Sequence, residues 1–228
     1  MEIIKNNLRI INEKIKKAAL KANRNPEEIK LVAVTKTVSI ERIKEAISAG
    51  VKIIGENKVH EAKEKYHILT ADIKWHLVGH LQTNKAKYAV EIFDLIHSVD
   101  SIKLAKEIDR RSLQFGKITN VLIEVNVSAE ETKYGIKPEE VESFLKDISQ
   151  FPRIWVRGLM TIAPMVKDKE ETRPYFKKLR ELSKEIKSKN MKNVKMDYLS
   201  MGMTEDFEVA IEEGANMVRV GRGIFGFH

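Results

Sequence analysis

The stretch IKLVAVTK, residues 29–36, is a continuous apolar run rich in β-branched side chains, and it ends in the polar pair Thr35 and Lys36. Strands that are buried on both faces, as in parallel sheets, have this composition. A helical pattern follows over residues 39–49, with Ser39 in the N-cap position and Gly50 as its stop. The stretch is therefore interpreted as the first strand of a parallel sheet, followed by its crossover helix.

The same alternation of apolar run and amphipathic segment continues along the chain. Further strands are predicted over residues 52–57, 73–79, 95–99, 119–127, 153–162, 195–200 and 217–220. Helices are predicted between them over residues 59–69, 84–93, 101–114, 138–151, 173–189 and 204–213. Ahead of the first strand, an apolar stripe at helical spacing predicts one additional N-terminal helix, and it consists of Ile4, Leu8, Ile11, Ile15 and Ala18.

Eight strand–helix units in a chain of 228 residues predict a closed (β/α)8 TIM barrel of the α/β class. The alternative is an open doubly wound sheet, which usually has fewer strands and a phosphate loop after its first strand. No linker, repeat or low-complexity tract divides the sequence, so residues 1–228 are predicted to form a single domain.

The composition excludes several classes of function. Cysteine is absent, which excludes disulfides, thiolate metal sites and cysteine nucleophiles. No apolar run approaches the ~20 residues of a membrane span, and the charged N-terminus is unlike a signal peptide, so a cytoplasmic protein is expected. The formal charge is +8, but basic residues are mixed with acidic ones, as on solvated helix faces. A nucleic-acid partner is therefore not expected.

The loops after the seventh and eighth predicted strands contain the residues expected to bind phosphate. Residues 200–204 read Ser-Met-Gly-Met-Thr, and residues 221–223 read Gly-Arg-Gly. Barrels often bind phosphate in these two loops, where glycines let backbone amides approach an anion. The helix predicted to begin at Thr204 adds unpaired amides and its partial positive charge. The alternative interpretation is ordinary turn chemistry, with Thr204 as an N-cap.

Lys36 is the candidate nucleophile, because it follows the apolar run LVAVT at the carboxyl end of the first strand. Apolar walls at the barrel mouth are expected to desolvate its amine and free it for Schiff-base chemistry. Without a phosphate site it would be one more lysine in a lysine-rich chain. Together, the lysine and the phosphate loops fit a phosphorylated aldehyde, of which pyridoxal 5'-phosphate (PLP) is the common example.

Arg219 lies within the last predicted strand, where an unpaired charge is costly. One interpretation is a structural ion pair with Glu124 or Asp197. The other is a donor to a ligand atom. Opposite a pyridine nitrogen, this permanent cation would disfavour protonation of the nitrogen.

Two further motifs are rejected. Residues 221–226 match the dinucleotide fingerprint Gly-x-Gly-x-x-Gly, but no following helix is predicted and no downstream acid exists. His76 and His80 are four residues apart, but on a predicted strand and without the glutamate of a zincin motif, so no metal site is predicted.

Six segments in order resemble the pyridoxal-phosphate homeostasis protein family over nearly the whole chain. They are VAVTK ending at Lys36, GENKVHEA from Gly55, WHLVGHLQTNK from Trp75, RGLMTI from Arg157, YLSMGMTEDFEVAI from Tyr198 and MVRVGRGIFG from Met217. The family in turn resembles the barrel domain of alanine racemase and related decarboxylases. The resemblance implies a single barrel that holds PLP on a lysine, without an established catalytic activity.

Residue by residue, the resemblance implies a set of cofactor contacts. Lys36 would form the Schiff base, Arg219 would face the pyridine nitrogen, Asn57 would line the edge of the ring and Met160 would lie nearby. The phosphate would be held by the two loops, through Ser200, Gly202, Met203, Thr204, Gly221, Arg222 and Gly223. The family usually has a small hydroxyl residue where Arg222 stands. Arg222 would then either replace that hydroxyl with its charge or point to solvent.

The expected function is therefore intracellular PLP homeostasis, and with it the balance of amino acids and keto acids. PLP-dependent enzymes are the expected clients, and the protein is expected to be a monomer. The alternative is a PLP-dependent amino-acid racemase or decarboxylase on the same barrel. Racemases of this type need a second base, usually a tyrosine from a second domain, and only eight residues follow Val220 here.

Overall fold

Eight parallel strands close into a barrel in the computed structural model, which describes residues 2–130 and 132–226. Each strand pairs with its neighbours in chain order, and β1 pairs with β8 to close the sheet. The strands are β1 Lys30–Val34, β2 Ile53–Glu56, β3 Lys74–Leu77, β4 Leu95–Val99, β5 Thr119–Glu124, β6 Ile154–Met160, β7 Val194–Ser200 and β8 Met217–Val220. The predicted TIM barrel is confirmed, and β4 and β8 have their predicted bounds.

Helices surround this barrel, each following a strand except for the first. They are α1 Glu2–Lys21, α2 Ile40–Ser48, α3 Val59–Tyr66, α4 Ala86–Ile92, α5 Ile102–Gln114, α6 Val141–Ile148, α7 Arg173–Ser188, α8 Phe207–Glu212 and α9 Arg222–Phe225. Short 3₁₀ turns at Pro26–Glu28, Thr83–Lys85, Pro138–Glu140 and Lys169–Thr172 precede β1, α4, α6 and α7. Within the described ranges, no helix is long and apolar enough to span a membrane.

The N-terminal helix α1 covers the part of the barrel where the chain ends. Its five predicted apolar residues are all buried, and α1 packs against α8, α9 and α2. Asn7 Nδ2 donates a hydrogen bond to the carbonyl oxygen of Ile224, 2.9 Å away. Helix α1 therefore supports the two segments that follow β7 and β8.

Alternate residues of the strands point into the barrel, and many of them are apolar. An interior cluster is formed by Val32, Val78, Leu95, Leu122, Met160 and Met217, all buried. The other face of each strand packs against the helices in the main core. The interior cluster forms a floor, so that chemistry is confined to the mouth, the end at which the strands' carboxyl termini meet.

Three sequence interpretations are corrected by the structure. The helix predicted from Thr204 begins at Phe207, because the Asp206 carboxylate accepts the Met203 amide and residues 204–206 form a turn. A short helix, α9, does follow β8, because burial of Ile224 and Phe225 turns the chain back onto α1. Ser39 occupies the N-cap position of α2, but its side chain forms no capping hydrogen bond.

Candidate functional site at the barrel mouth

Lys36 lies at the mouth, two residues beyond the end of β1. Val32 belongs to the interior cluster and Val34 packs against it. Strand alternation therefore places Lys36 on the same inward row, one step above them. The side chain is exposed, so the predicted burial of the amine between apolar walls is wrong. The mouth is open at this position, and the amine is accessible to a ligand from solvent.

A buried polar cluster holds the backbone immediately before Lys36. Lys65 Nζ, on α3, donates to the carbonyl oxygen of Thr35 at 2.7 Å and to Glu56 Oε1 at 2.8 Å. The Thr35 hydroxyl donates to the same carboxylate oxygen at 2.6 Å. Burial raises the pKa of Glu56 to about 7, against the opposing effect of these hydrogen bonds. None of its three residues was predicted from the sequence to belong to the site.

The backbone immediately after Lys36 is held by the same helix. Thr37 has a φ of +60°, which is unusual for a β-branched residue. Its amide donates to Glu61 Oε1 at 3.4 Å, and its hydroxyl donates to the Lys36 carbonyl oxygen at 2.6 Å. Residues 61 and 65 of α3 thus contact both neighbours of Lys36, which fixes where its side chain leaves the main chain.

The two loops predicted to bind phosphate meet beside β1. A Cβ added to Gly221 would lie 3.3 Å from the carbonyl oxygen of Val34, so the end of β8 packs closely against the end of β1. The Gly223 amide points at the Thr204 hydroxyl oxygen, 3.4 Å away. The structure therefore brings Thr204, Gly221 and Gly223 together next to the strand that leads to Lys36.

Gly202 and Met203 have structural contacts that differ from the phosphate contacts predicted from the sequence. Gly202 has a φ of +88°, and an added Cβ would lie 2.5 Å from the Ala210 Cβ and 2.8 Å from the Phe207 Cα. Close packing against α8 therefore explains the glycine, irrespective of any anion. The Met203 amide donates to Asp206 Oδ1 at 2.6 Å, and the Met203 side chain is 38% exposed. That amide is occupied, so it is not a phosphate donor in this arrangement.

Arg219 is buried inside the barrel and bonded to two oxygens. Its Nη1 donates to Ser200 Oγ at 2.6 Å, and its Nη2 donates to the Thr161 carbonyl oxygen at 2.8 Å. Burial lowers the pKa of Arg219 to about 10, and the charges of Asp206 and Glu124 oppose this change. Arg219 therefore stays a cation at neutral pH.

Asp197 and Glu124, the two carboxylates considered as ion-pair partners of Arg219, differ in whether they act on it. Asp197 pairs with Arg157, with 2.7 Å between Nη2 and Oδ2, so the proposed pair of Asp197 with Arg219 is wrong. Glu124 acts on Arg219 through its charge and is 6% exposed. Its Oε2 is buried without a hydrogen-bond partner among the described residues. Burial, together with the charge of Asp100, raises the pKa of Glu124 to about 7.

Two histidines that the sequence analysis did not assign to the site extend from Ser200 into the barrel. His97 Nδ1 lies 3.0 Å from Ser200 Oγ, and His97 Nε2 lies 3.0 Å from His76 Nδ1. Burial lowers the pKa of His76 to about 4 and the pKa of His97 well below its usual value. His80 has a separate environment at the rim, where it stacks on Tyr134 with 3.8 Å between ring centroids.

The remaining predicted site residues surround this centre. Asn57 follows β2 and is half-buried, whereas Met160 is fully buried in the interior cluster. Arg222 is exposed, and its Nη2 lies 3.6 Å from Glu205 Oε1. A depression of about 650 Å³ lies elsewhere, around Trp75, Asp94 and Asn120 near the amino ends of the strands, and it brings together none of the predicted residues.

Comparison with known proteins gives consistent matches over the whole chain. The family model described as alanine racemase, N-terminal domain, matches residues 3–228. The pyridoxal phosphate homeostasis protein of Aquifex aeolicus (strain VF5) is 46% identical over 215 residues, which cover 94% of this chain and 93% of the relative. An unknown protein from Bifidobacterium adolescentis has a crystal structure with a TM-score of 0.91 and 37% identity, covering 98% of this chain and 95% of that one.

A solved structure of PipY from Synechococcus elongatus PCC7942 with PLP bound has a TM-score of 0.81 and 36% identity, and it covers 93% of this chain and 100% of that one. The resemblance inferred from the sequence segments is thus confirmed by identity, coverage and fold. The chain belongs to the pyridoxal phosphate homeostasis protein family, whose barrel is that of the N-terminal domain of alanine racemase.

Proposed function

We propose that this protein binds PLP at the barrel mouth, holds it covalently on Lys36, and acts in intracellular PLP homeostasis. The observation that carries the proposal is the position of Lys36, whose exposed amine stands at the end of β1 beside the loops of β7 and β8. The names of the relatives and the PLP-bound structure of PipY support the same ligand.

The residues at the mouth fit the chemical groups of PLP. An accessible primary amine suits its aldehyde. The Gly223 amide donates a long hydrogen bond of 3.4 Å to the Thr204 hydroxyl oxygen, and a phosphate that displaces this bond would accept from both groups. A buried cation, Arg219, suits the lone pair of its ring nitrogen. Arg219 suits the unprotonated form of the ring nitrogen, because the fixed positive charge of the guanidinium disfavours a second positive charge on the ring.

Within this proposal, each residue has a defined task. Thr204, Gly221 and Gly223 bind the phosphate, Asn57 lines the edge of the ring, and Met160 closes the floor beneath it. Ser200 positions Arg219, since its hydroxyl is already bonded inside the barrel. Gly202 shapes the loop through its packing on α8.

When bound, PLP supplies an electrophilic carbon for amines and a ring that withdraws electrons most strongly when its nitrogen is protonated. Arg219 opposes that protonation, so the chain's own residues favour holding the cofactor over stabilising a carbanion. This supports a carrier or regulator in preference to the alternative, a racemase or decarboxylase. The proposal includes a cytoplasmic monomer whose partners are PLP-dependent client enzymes.

Borohydride trapping tests the covalent site. Purified protein is incubated with PLP, reduced, and analysed by peptide mass spectrometry. The added mass is expected on Lys36 in the native protein and absent in Lys36→Ala, which should retain weaker, non-covalent binding through the phosphate loops. Lys58→Ala, which removes an exposed lysine next to Asn57, is the matched control and should label normally.

Trapping of PLP in the same site of Lys36→Ala would overturn the assignment of the lysine. Pyridoxal, which lacks the phosphate, should bind far more weakly than PLP to the native protein. Equal affinities for the two compounds would contradict the phosphate site.

A further inference from the structure

We propose that His97, supported by His76, is a positioning residue of the cofactor site: through Ser200 it holds the Arg219 guanidinium in the one orientation that meets the ring nitrogen. The inference rests on the proposed function, because it concerns the ring of bound PLP. It assigns a role to the two histidines of a polar chain, defined as Arg219, Ser200, His97 and His76.

The polar chain is continuous across four inward positions on four strands. Its three links measure 2.6 Å from Arg219 Nη1 to Ser200 Oγ, 3.0 Å from Ser200 Oγ to His97 Nδ1, and 3.0 Å from His97 Nε2 to His76 Nδ1. All four residues are buried, with exposed fractions of 0–6%. Water therefore does not compete for these hydrogen bonds, and each group depends on its neighbour.

One direction of donation satisfies every proton in the chain, because the reverse tautomer of His97 would donate to Ser200 Oγ and leave the Ser200 hydroxyl proton without an acceptor there. A guanidinium can only donate, so Ser200 Oγ accepts from Arg219. The one hydroxyl proton of Ser200 is then free to donate to His97 Nδ1. Burial and the nearby charge of Arg219 keep the pKa of His97 low, so its ring is neutral and carries its single proton on Nε2. That proton is donated to His76 Nδ1.

This direction explains why the guanidinium does not rotate. Nη1 is held by Ser200 and Nη2 by the Thr161 carbonyl oxygen at 2.8 Å, so two bonds on different nitrogens fix the plane of the group. Without His97, the Ser200 hydroxyl has no acceptor in the chain, so its side chain is no longer held in the rotamer that places Oγ against Nη1. The bond from Nη1 then loses its fixed partner, and the cation moves relative to the ring nitrogen.

The chain crosses a barrel interior that also contains apolar side chains. Leu95, two residues before His97 on β4, and Leu122 on the adjacent β5 both pack in the interior cluster. Polar groups at such depth destabilise a fold unless every one is paired. Side chains that only filled this space would be apolar. His97 and His76 instead continue one hydrogen-bond chain that ends on Arg219, the proposed ring-binding cation.

Nitrogen-15 NMR of bound PLP labelled at the ring nitrogen tests the role of His97 directly. The pKa of the bound ring nitrogen is measured for native protein, His97→Leu, His97→Asn and the control Leu95→Met. In His97→Leu that pKa should rise by about one unit or more, because the opposing cation is no longer fixed. In His97→Asn, whose Oδ1 can accept from Ser200 at the position of Nδ1, most of the native value should return. Leu95→Met should match the native protein.

Two outcomes separate the inference from the proposed function. Absence of a trapped Lys36 adduct in the native protein refutes the proposed function, and the inference with it. A native adduct together with an unchanged ring-nitrogen pKa in His97→Leu refutes the inference alone. If His97→Leu does not fold, Ser200→Ala interrupts the same chain by removing one hydroxyl, and the same rise is expected or the inference fails.

Discussion

The hydroxyl of Ser200 lies 2.6 Å from Nη1 of Arg219, and this bond joins the ends of β7 and β8 inside the barrel. Because of this bond, the Ser200 hydroxyl is engaged inside the barrel. Ser200, predicted to hold phosphate, bonds a buried cation in the structure, and the proposed phosphate donors are therefore those of Thr204 and the glycine loop after β8.

The pair of Lys65 and Glu56 should contribute strongly to the stability of the segment around Lys36. Lys65→Met leaves the Glu56 carboxylate buried without its cation and the Thr35 carbonyl without its donor. Removing one member of a buried pair typically costs about 3–5 kcal/mol. Urea unfolding measures this change. The control Lys63→Met alters an exposed lysine on the same helix, so equal losses for the two variants would contradict the prediction.

Glu124 should make the protein less stable as the pH rises. Its folded-state pKa of about 7 lies above its ordinary value of 4.5, so the folded protein binds this proton more tightly than the unfolded chain. The resulting stabilisation is complete below pH 4.5 and is lost as the pH rises through about 7. At about 1.4 kcal/mol per pKa unit, the loss is at most about 3.5 kcal/mol.

Glu124→Gln removes this titration and keeps the shape of the side chain. Between pH 5 and pH 8, the melting temperature of Glu124→Gln should therefore decrease by less than the melting temperature of the native protein does. Glu64→Gln, on an exposed position of α3, is the control and should follow the native curve. Parallel curves for the native protein and Glu124→Gln would show that the carboxyl group is not buried as described.

The fold could be predicted from the sequence because its signal is local. Each strand is a short apolar run, and most helices have their own stripe, so local patterns located all eight strands and seven of the helices that follow them, but missed α9. Errors fell at segment ends, where a side chain decides the outcome. Thr204 was expected to begin a helix, and the Asp206 carboxylate delays that helix to Phe207 by binding the Met203 amide.

The site could be predicted only where a residue lies next to a recognisable motif. The predictions for Lys36, Arg219 and the glycine loops rest on such motifs. The link from His97 to Ser200 spans 103 positions of sequence and depends on barrel closure, so no local pattern reveals it. The available signal was His97 itself, a polar residue two positions from Leu95 and two from Val99 in the apolar strand β4.

Gly202→Ala should destabilise the fold itself, and not only a phosphate site in this loop. The added Cβ would lie 2.5 Å from the Ala210 Cβ, and the φ of +88° strains any other residue. Gly50→Ala separates the two causes, since Gly50 has a φ of +105° and no atom within 4 Å of an added Cβ. Thermal melts should show a clearly larger loss for Gly202→Ala, and equal losses would mean that backbone strain alone explains the glycine.

Arg222→Ser should change PLP affinity by less than about tenfold, or ~1.4 kcal/mol. The Arg222 side chain is exposed and lies 3.6 Å from the Glu205 carboxylate, so its charge is screened by solvent and by its partner. The new serine restores the hydroxyl expected in this family. Titration at low and high salt measures the difference, which should shrink with salt. A loss well beyond tenfold at both salt concentrations would place Arg222 in direct contact with the phosphate.

Deuterium exchange at the α-carbon of L-alanine should distinguish a carrier from an enzyme. Arg219 keeps its charge because its pKa remains near 10, and it opposes protonation of the ring nitrogen that would stabilise a carbanion. Exchange catalysed by the PLP-loaded native protein should therefore be slow or absent. Arg219→Glu, which favours the protonated ring, should exchange faster if it still holds PLP on Lys36, as checked by trapping. Native exchange at a rate typical of enzymes, roughly 1–10³ per second, would instead support the racemase alternative and remove the reason for assigning a carrier.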